Sequence, residues 1–184
     1  PMVIGPLLAR FGKAVVPNPG GCRLGKRPID RHISGLRALG AKIVYKDGFF
    51  YAHTQGLTGT KYTFESNSHT GTETMLLAAV LATGETILEN AAEEPEVDDL
   101  IRLLNNMGAK VKRIKTRTIV VQGVKKLKGT EFEIMPDRNE VVTFAIGAIA
   151  TGGDVIIEGT QRENLGAFLS KLSQAKANWE AISQ

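Results

Sequence analysis

LGAKIVY (residues 39–45) returns as MGAKVKR (107–113), 68 positions later. LATGETILEN (81–90) returns as IATGGDVIIEG (149–159), one residue longer. Self-similarity at a fixed interval marks a chain built from repeated supersecondary units, here of roughly 65–70 residues each. Each unit reads helix–strand–helix–hairpin–strand, complete once and partial on either side. The helices of such a unit are apolar on nearly every face, so they must be hidden among themselves. The expectation is an α/β (α+β) chain of partial βαβαββ-type repeats, helices inside and sheets outside.

Working outward, Val15 to Arg27 is rich in Pro and Gly and reads as a loop. Asp30 is placed to N-cap a helix reaching about Leu39 and stopped by Gly40. Lys42–Tyr45 and Phe49–His53 read as a hairpin turning at Asp47-Gly48. Lys61–Ser66 reads as a strand. Thr70 to Glu73 fits a capping box before an apolar helix, Thr72–Ala82. A strand at Thr86–Glu89 precedes a helix with Pro95 at its first position. Its apolar stripe is Val97, Leu100, Ile101, Leu104 and Met107. Ala109–Ile114 and Thr118–Gln122 form a second hairpin, and Glu131–Met135 a strand. Asp137 and Glu140 fit a second capping box, before a helix at Val141–Ala150. A strand at Asp154–Glu158 and a helix at Asn164–Gln174 follow.

The chain has 184 residues, 42% hydrophobic and 23% charged, and reads as soluble and globular rather than disordered. The longest apolar run, Met75–Ala82, is too short to cross a bilayer, so no membrane partner is expected. One cysteine excludes an intrachain disulfide framework. The opening residues lack a secretory pattern, and the expected compartment is the reducing cytoplasm. The net charge of +4 suits an anionic ligand. Residues 1–12, PMVIGPLLARFG, read as the interior of a chain, and Ala175–Gln184 trails from a helix. The sequence is therefore expected to be a segment of a longer polypeptide.

The loop GGCRLGKRPID (20–30) carries the chemistry. Cys22 lies between glycines, with Arg23, Lys26 and Arg27 close by. Cations favour the thiolate and glycines leave it accessible, against the alternative of a small buried side chain. The same three cations suit a phosphate or carboxylate, or are solvated loop charge. His32 and His53 have no metal-ligand spacing, and neither a metal nor a cofactor is expected. Lys110–Lys128 has eight basic residues and no acid, but no interleaved aromatics. It reads as a solvated hairpin face rather than a nucleic-acid site. Glu93 and Glu94 read as an acidic helix start.

This loop, together with GPLLARFG, GLRALGAKI, TGTE before AAVLATGET, ILENAAEEPEV and PDRNE, resembles the enolpyruvyl (carboxyvinyl) transferases that act on UDP-N-acetylglucosamine. These belong to the EPSP synthase superfamily. The resemblance covers residues 1 to about 174. It implies two domains of six repeated units, an inside-out α/β barrel. Residues 1–135 would belong to the first domain, with the cysteine loop at 15–30, and 136–184 would start the second. It implies transfer of the enolpyruvyl group from phosphoenolpyruvate to the sugar 3-hydroxyl, an early step of peptidoglycan synthesis. Cys22 matches the family's general acid, the residue that fosfomycin alkylates. Arg27 matches an arginine holding anionic substrate. Arg27, Pro28, Ile29, Asp30 and Arg31 match the segment that cradles the UDP-sugar. Ser68, His69, Thr70 and Gly71 match a second UDP-contacting turn. Asp137 and Arg138 match a motif near the domain connection.

Arg31 and His69 stand where the family pattern is apolar, and Lys176 where it has glycine. The family's remaining phosphoenolpyruvate cations and its catalytic base match no residue here. The expected partners are UDP-N-acetylglucosamine, phosphoenolpyruvate and the remaining segments of the parent enzyme, without which the chain is expected not to turn over. Two other readings stand beside this one: a non-catalytic nucleotide- or anion-binding module of the same fold, and a basic nucleic-acid-binding domain.

Overall fold

The computed structural model describes residues 2–18 and 29–180. The chain divides into two compact units, Pro1–Phe132 and Glu133–Gln184.

The first unit opens with α1 (Ile4–Phe11), β1 (Lys13–Pro17), α2 (Asp30–Ala38), β2 (Lys42–Lys46) and β3 (Phe49–His53). It continues with β4 (Lys61–Thr63), α3 (His69–Ala79), β5 (Glu85–Glu89), α4 (Pro95–Asn106), β6 (Lys110–Lys115) and β7 (Thr118–Gln122). Among the described residues two sheets form, in the orders β1-β3-β2 and β4-β5-β7-β6. All pairs are antiparallel except β4 with β5. Asp47 and Gly48 both take positive φ, 49° and 81°, as a two-residue hairpin turn requires.

Helix α3 is the centre of this unit, and α1, α2 and α4 all pack on it. Gly71, Thr72, Thr74, Met75, Leu76, Ala78 and Ala79 are buried along it, so its apolar surface is covered as its composition demands. Small residues let the neighbours come close. A Cβ on Gly35 of α2 would lie 2.5 Å from Met75 Sδ, and one on Gly5 of α1 2.6 Å from the Thr74 carbonyl oxygen. The sheets lie outside, and Val15, Tyr51 and Val44 form an exposed cross-strand row on the first.

The repeat survives at the level of single bonds. At the end of α2, Leu39, Gly40 and Ala41 donate to the carbonyls of Gly35, Arg37 and Leu36; at the end of α4, Met107, Gly108 and Ala109 donate to those of Leu103, Asn105 and Leu104. Arg37 then donates through its guanidinium to the Ile43 carbonyl at 2.8 Å, and Asn105 through its amide to the Val111 carbonyl at 2.9 Å. Each donor holds the following strand against the helix it leaves.

The second unit holds α5 (Arg138–Thr151), a 3₁₀ turn at Arg162–Leu165 and α6 (Gly166–Gln174). Asp137 is the N-cap of α5 and accepts from the Asn139 N–H at 2.8 Å. Leu165 and Leu172 are the buried apolar side chains of this unit among the described residues.

Several sequence expectations need correction. Val15–Pro17 belongs to strand β1 rather than a loop. Ala14 and Val16 point inward with period two, and Pro17 is tolerated because β1 is an edge strand. Asp30 is the first residue of α2 and not its cap. The N-cap position is Ile29, without a side-chain bond. Helix α3 begins earlier than expected, with Ser68 as its cap in place of Thr70. Residues 131–135 and 154–158 form no strand, because a strand exists only through a hydrogen-bonded neighbour. For the same reason α5, apolar on nearly all sides, has no buried residue, and Phe144, Ile146 and Ile149 are exposed. Periodicity records the packing an element is made for, and the described residues of this unit contain no such surface.

Candidate ligand-binding site

The Ser68 backbone is extended, and its Oγ accepts from the Gly71 N–H at 3.2 Å. Its carbonyl takes the Thr72 N–H and hydroxyl. Gly71 is required here, since a Cβ would lie 2.7 Å from Ser68 Oγ. The N–H groups of His69 and Thr70 have no acceptor within the helix, as at any helix start, and favour negative charge. One turn on, His69 Nε2 lies 3.2 Å from a Glu73 carboxylate oxygen. Burial pushes the Glu73 carboxyl above its ordinary range, with His69 acting against that shift.

The first turn of α2 carries Ile29, buried, then Asp30, exposed, and Arg31, half-buried. His32 follows, only 4% exposed. Its Nδ1 is 2.8 Å from Thr74 Oγ1 and its Nε2 is 3.3 Å from Thr70 Oγ1. One imidazole thus spans both helices and fastens the start of α2 to the start of α3. Burial, with Arg31 adjacent, lowers the His32 pKa to about 4, so the ring is neutral at physiological pH.

The His32 bonds therefore tie the start of α2, which carries Ile29, Asp30 and Arg31, to the start of α3, which carries Ser68, His69, Thr70 and Gly71. Cys22, Arg27 and Pro28 lie outside the described residues. Asp137 and Arg138 belong to the second unit, at the start of α5. His32 and Thr74 were missed as site residues by sequence reasoning. The available signal was a histidine inside the apolar stripe Ile29, Ile33, Leu36, because a polar side chain there needs a buried partner.

The basic run spreads over the second hairpin. Arg113 is held by Asp98 and the Ala92 carbonyl, and Arg117 by Glu93 and Asn90. Lys110, Lys112, Lys115, Lys125 and Lys126 are exposed. A concavity of about 520 Å³ in the second unit is lined by Arg162, Glu163 and Trp179 among others. None of the expected site residues lines it, and Arg162 stacks over the Trp179 ring. Among the described residues, no three His, Cys, Asp or Glu side chains converge as metal ligands, and no helix is long and apolar enough to cross a membrane.

Comparison with known proteins gives one consistent result. The family model for EPSP synthase (3-phosphoshikimate 1-carboxyvinyltransferase) matches residues 2–183. A UDP-N-acetylglucosamine 1-carboxyvinyltransferase from Idiomarina loihiensis is 49% identical over 188 residues, covering 98% of this chain and 45% of the relative. UDP-N-acetylglucosamine 1-carboxyvinyltransferase 2 from Carboxydothermus hydrogenoformans is 50% identical over 176 residues, covering 96% of this chain and 42% of its own length. The chain thus spans somewhat under half the length of these relatives. Among solved structures, the enolpyruvyl transferase NikO from Streptomyces tendae superposes on the whole chain with a TM-score of 0.78. At 18% identity and 45% coverage of NikO, that likeness concerns the fold. An EPSP synthase from Acinetobacter baumannii superposes on 80% of the chain and 34% of its own, with a TM-score of 0.62 and 28% identity.

Proposed function

We propose, because the chain belongs to the EPSP synthase family, that it supplies the nucleotide-sugar-binding and acid-donating part of an enolpyruvyl transferase acting on UDP-N-acetylglucosamine. The observation that carries this reading is identity of about half over nearly the whole chain to relatives named for that reaction. Local geometry supports it. Two segments that match UDP-contacting turns, 37 or more residues apart in sequence, are joined through His32.

In the proposed reaction the sugar 3-hydroxyl adds to C2 of phosphoenolpyruvate while C3 takes a proton. C3 then loses a proton as phosphate departs, leaving the enolpyruvyl ether. Cys22 would deliver the proton, its thiol tuned by Arg23, Lys26 and Arg27. Arg27 would hold anionic substrate through the planar guanidinium fork. Asp30 would face the uridine end, Arg31 would line the same segment, and the Ser68 end of the Ser68–Gly71 turn would face the phosphates, where a helix start suits negative charge. Asp137 and Arg138 would act near the connection to the second domain, with the boundary falling close to residue 135. The setting is cytoplasmic peptidoglycan precursor synthesis, with its bearing on cell shape and division, and Cys22 would be the fosfomycin target.

A second reading has its own observation: the chain spans under half the length of its relatives. Acting alone it would bind nucleotide-sugar without turnover, its base and remaining cations being supplied by the rest of the parent enzyme. Titration calorimetry with UDP-N-acetylglucosamine and a phosphate-release assay with both substrates test the two together. Binding with background phosphate release is the expected result. No binding of UDP-N-acetylglucosamine or of UDP overturns the functional reading. Release at about 1 per second or faster overturns the division of labour.

A further inference from the structure

We propose that His32 is a positioning residue, which locks the first turns of α2 and α3 together and turns the Thr70 hydroxyl into an acceptor for a ligand's O–H or N–H group. The proposal rests on the reading of these two turns as the UDP-sugar site.

The direction of each bond follows from counting protons. Thr74 Oγ1 donates its one proton to the Thr70 carbonyl at 2.8 Å. Toward His32 Nδ1, at 2.8 Å, it is therefore an acceptor, and Nδ1 carries the imidazole proton. The ring is buried and neutral, so Nε2 presents a lone pair. The proton between Nε2 and Thr70 Oγ1 is then the hydroxyl's own. Thr70 commits it inward and shows lone pairs to solvent, where its side chain is exposed. Ser68 is wired the opposite way: its Oγ accepts from Gly71 and keeps its proton for an incoming group.

Polarity of this kind sorts a ligand. An ionised diphosphate has no proton to give and gains nothing from Thr70. A ribose hydroxyl or the imide N–H of uracil has one. The phosphates belong beside Ser68, and the nucleoside end beside Thr70. A reversed imidazole tautomer would invert Thr70 and remove the distinction.

Long-range ¹⁵N–¹H correlation on the 184-residue chain, with the His32 signals assigned by their loss in His32→Asn, reads the tautomer directly. A protonated Nδ1 and bare Nε2 at pH 7 are expected; the reverse tautomer overturns the lock. Calorimetry with UDP-N-acetylglucosamine and with inorganic pyrophosphate reads the consequence. Thr70→Ser should keep nucleotide-sugar affinity, while Thr70→Val should lose about tenfold, the worth of one hydrogen bond. His32→Asn keeps an amide N–H for Thr74 and loses the acceptor for Thr70. It should weaken UDP-N-acetylglucosamine similarly, leave pyrophosphate unchanged, and add nothing to Thr70→Val. A merely structural His32 would lower the unfolding midpoint and weaken both ligands alike, or neither, and that result overturns the proposal. If the unaltered chain binds no UDP-N-acetylglucosamine, the functional reading falls and takes the ligand half with it, while the nitrogen signals still judge the lock.

Discussion

Gly40 and Gly108 hold the same backbone conformation, φ +95°, at the same place in successive repeats. Each donates back into the last turn of its helix, to Arg37 at 2.9 Å and to Asn105 at 2.9 Å. A side chain at positive φ costs roughly 1–2 kcal/mol. Gly40→Ala and Gly108→Ala should each destabilise the fold by about that amount. Thermal unfolding of the two single variants and the double should show nearly additive losses, because the sites are the ends of different helices.

Two other glycines differ in what stands opposite them. At Gly35 an added methyl meets the flexible end of Met75, and at Gly5 the rigid carbonyl of Thr74. Overpacking costs roughly 1–3 kcal/mol, less where a side chain can give way. Gly5→Ala should therefore cost more than Gly35→Ala in chemical denaturation, since α1 itself must move.

Acid should weaken the fold through His32. Its pKa is about 4 when folded, against an ordinary 6.5. The unfolded chain takes up a proton that the folded chain refuses, so stability falls as pH drops from about 6.5 to about 4, by at most about 3 kcal/mol, and is indifferent to this group above pH 7. Glu73 works in the opposite sense, since its raised pKa favours the folded state as pH falls. The difference in unfolding free energy between the unaltered chain and His32→Asn, followed from pH 7 to 4.5, isolates the histidine. That difference should shift steadily across the range.

Cys22 should react with fosfomycin or iodoacetamide faster than a cysteine peptide at equal pH, because neighbouring cations favour the thiolate. Intact-mass kinetics measure it. A rate equal to the peptide's would show that the loop does not activate the thiol. In a full-length enzyme, Cys22→Asp should retain more activity than Cys22→Ala, since a carboxyl can still deliver a proton.

Local chemistry was readable where one residue decides the structure. Asp47-Gly48 announced the first hairpin, Pro95 the start of α4 and Gly108 its end, and the 68-residue repeat foretold a central helix inside sheets. The start of α3 was misread because Ser68, Thr70, Thr72 and Thr74 can all cap a helix. The Thr70 hydroxyl is taken by His32, 38 residues away in sequence, so position along the chain could not choose among them. The segments at Arg27–Arg31 and Ser68–Gly71 stand out in the sequence as motifs, but the imidazole that joins the two helix starts does not, since its partners come from another helix. Strands at 131–135 and 154–158 were overread because apolar, β-branched composition marks a segment fit for a sheet and says nothing about whether a neighbour exists to pair with it.

Helix α5 has ordinary internal hydrogen bonds and no buried residue, which separates what the chain forms from what it protects. Its amides should exchange with deuterium oxide orders of magnitude faster than those of α3, whose opening requires the first unit to come apart. The heat capacity of unfolding should follow the same division. At about 12–15 cal/mol/K per residue, a transition confined to the first unit gives roughly 1.6–2.0 kcal/mol/K, well below the roughly 2.2–2.8 that the full chain length would return. To a calorimeter, this 184-residue chain should look like a protein of about 130.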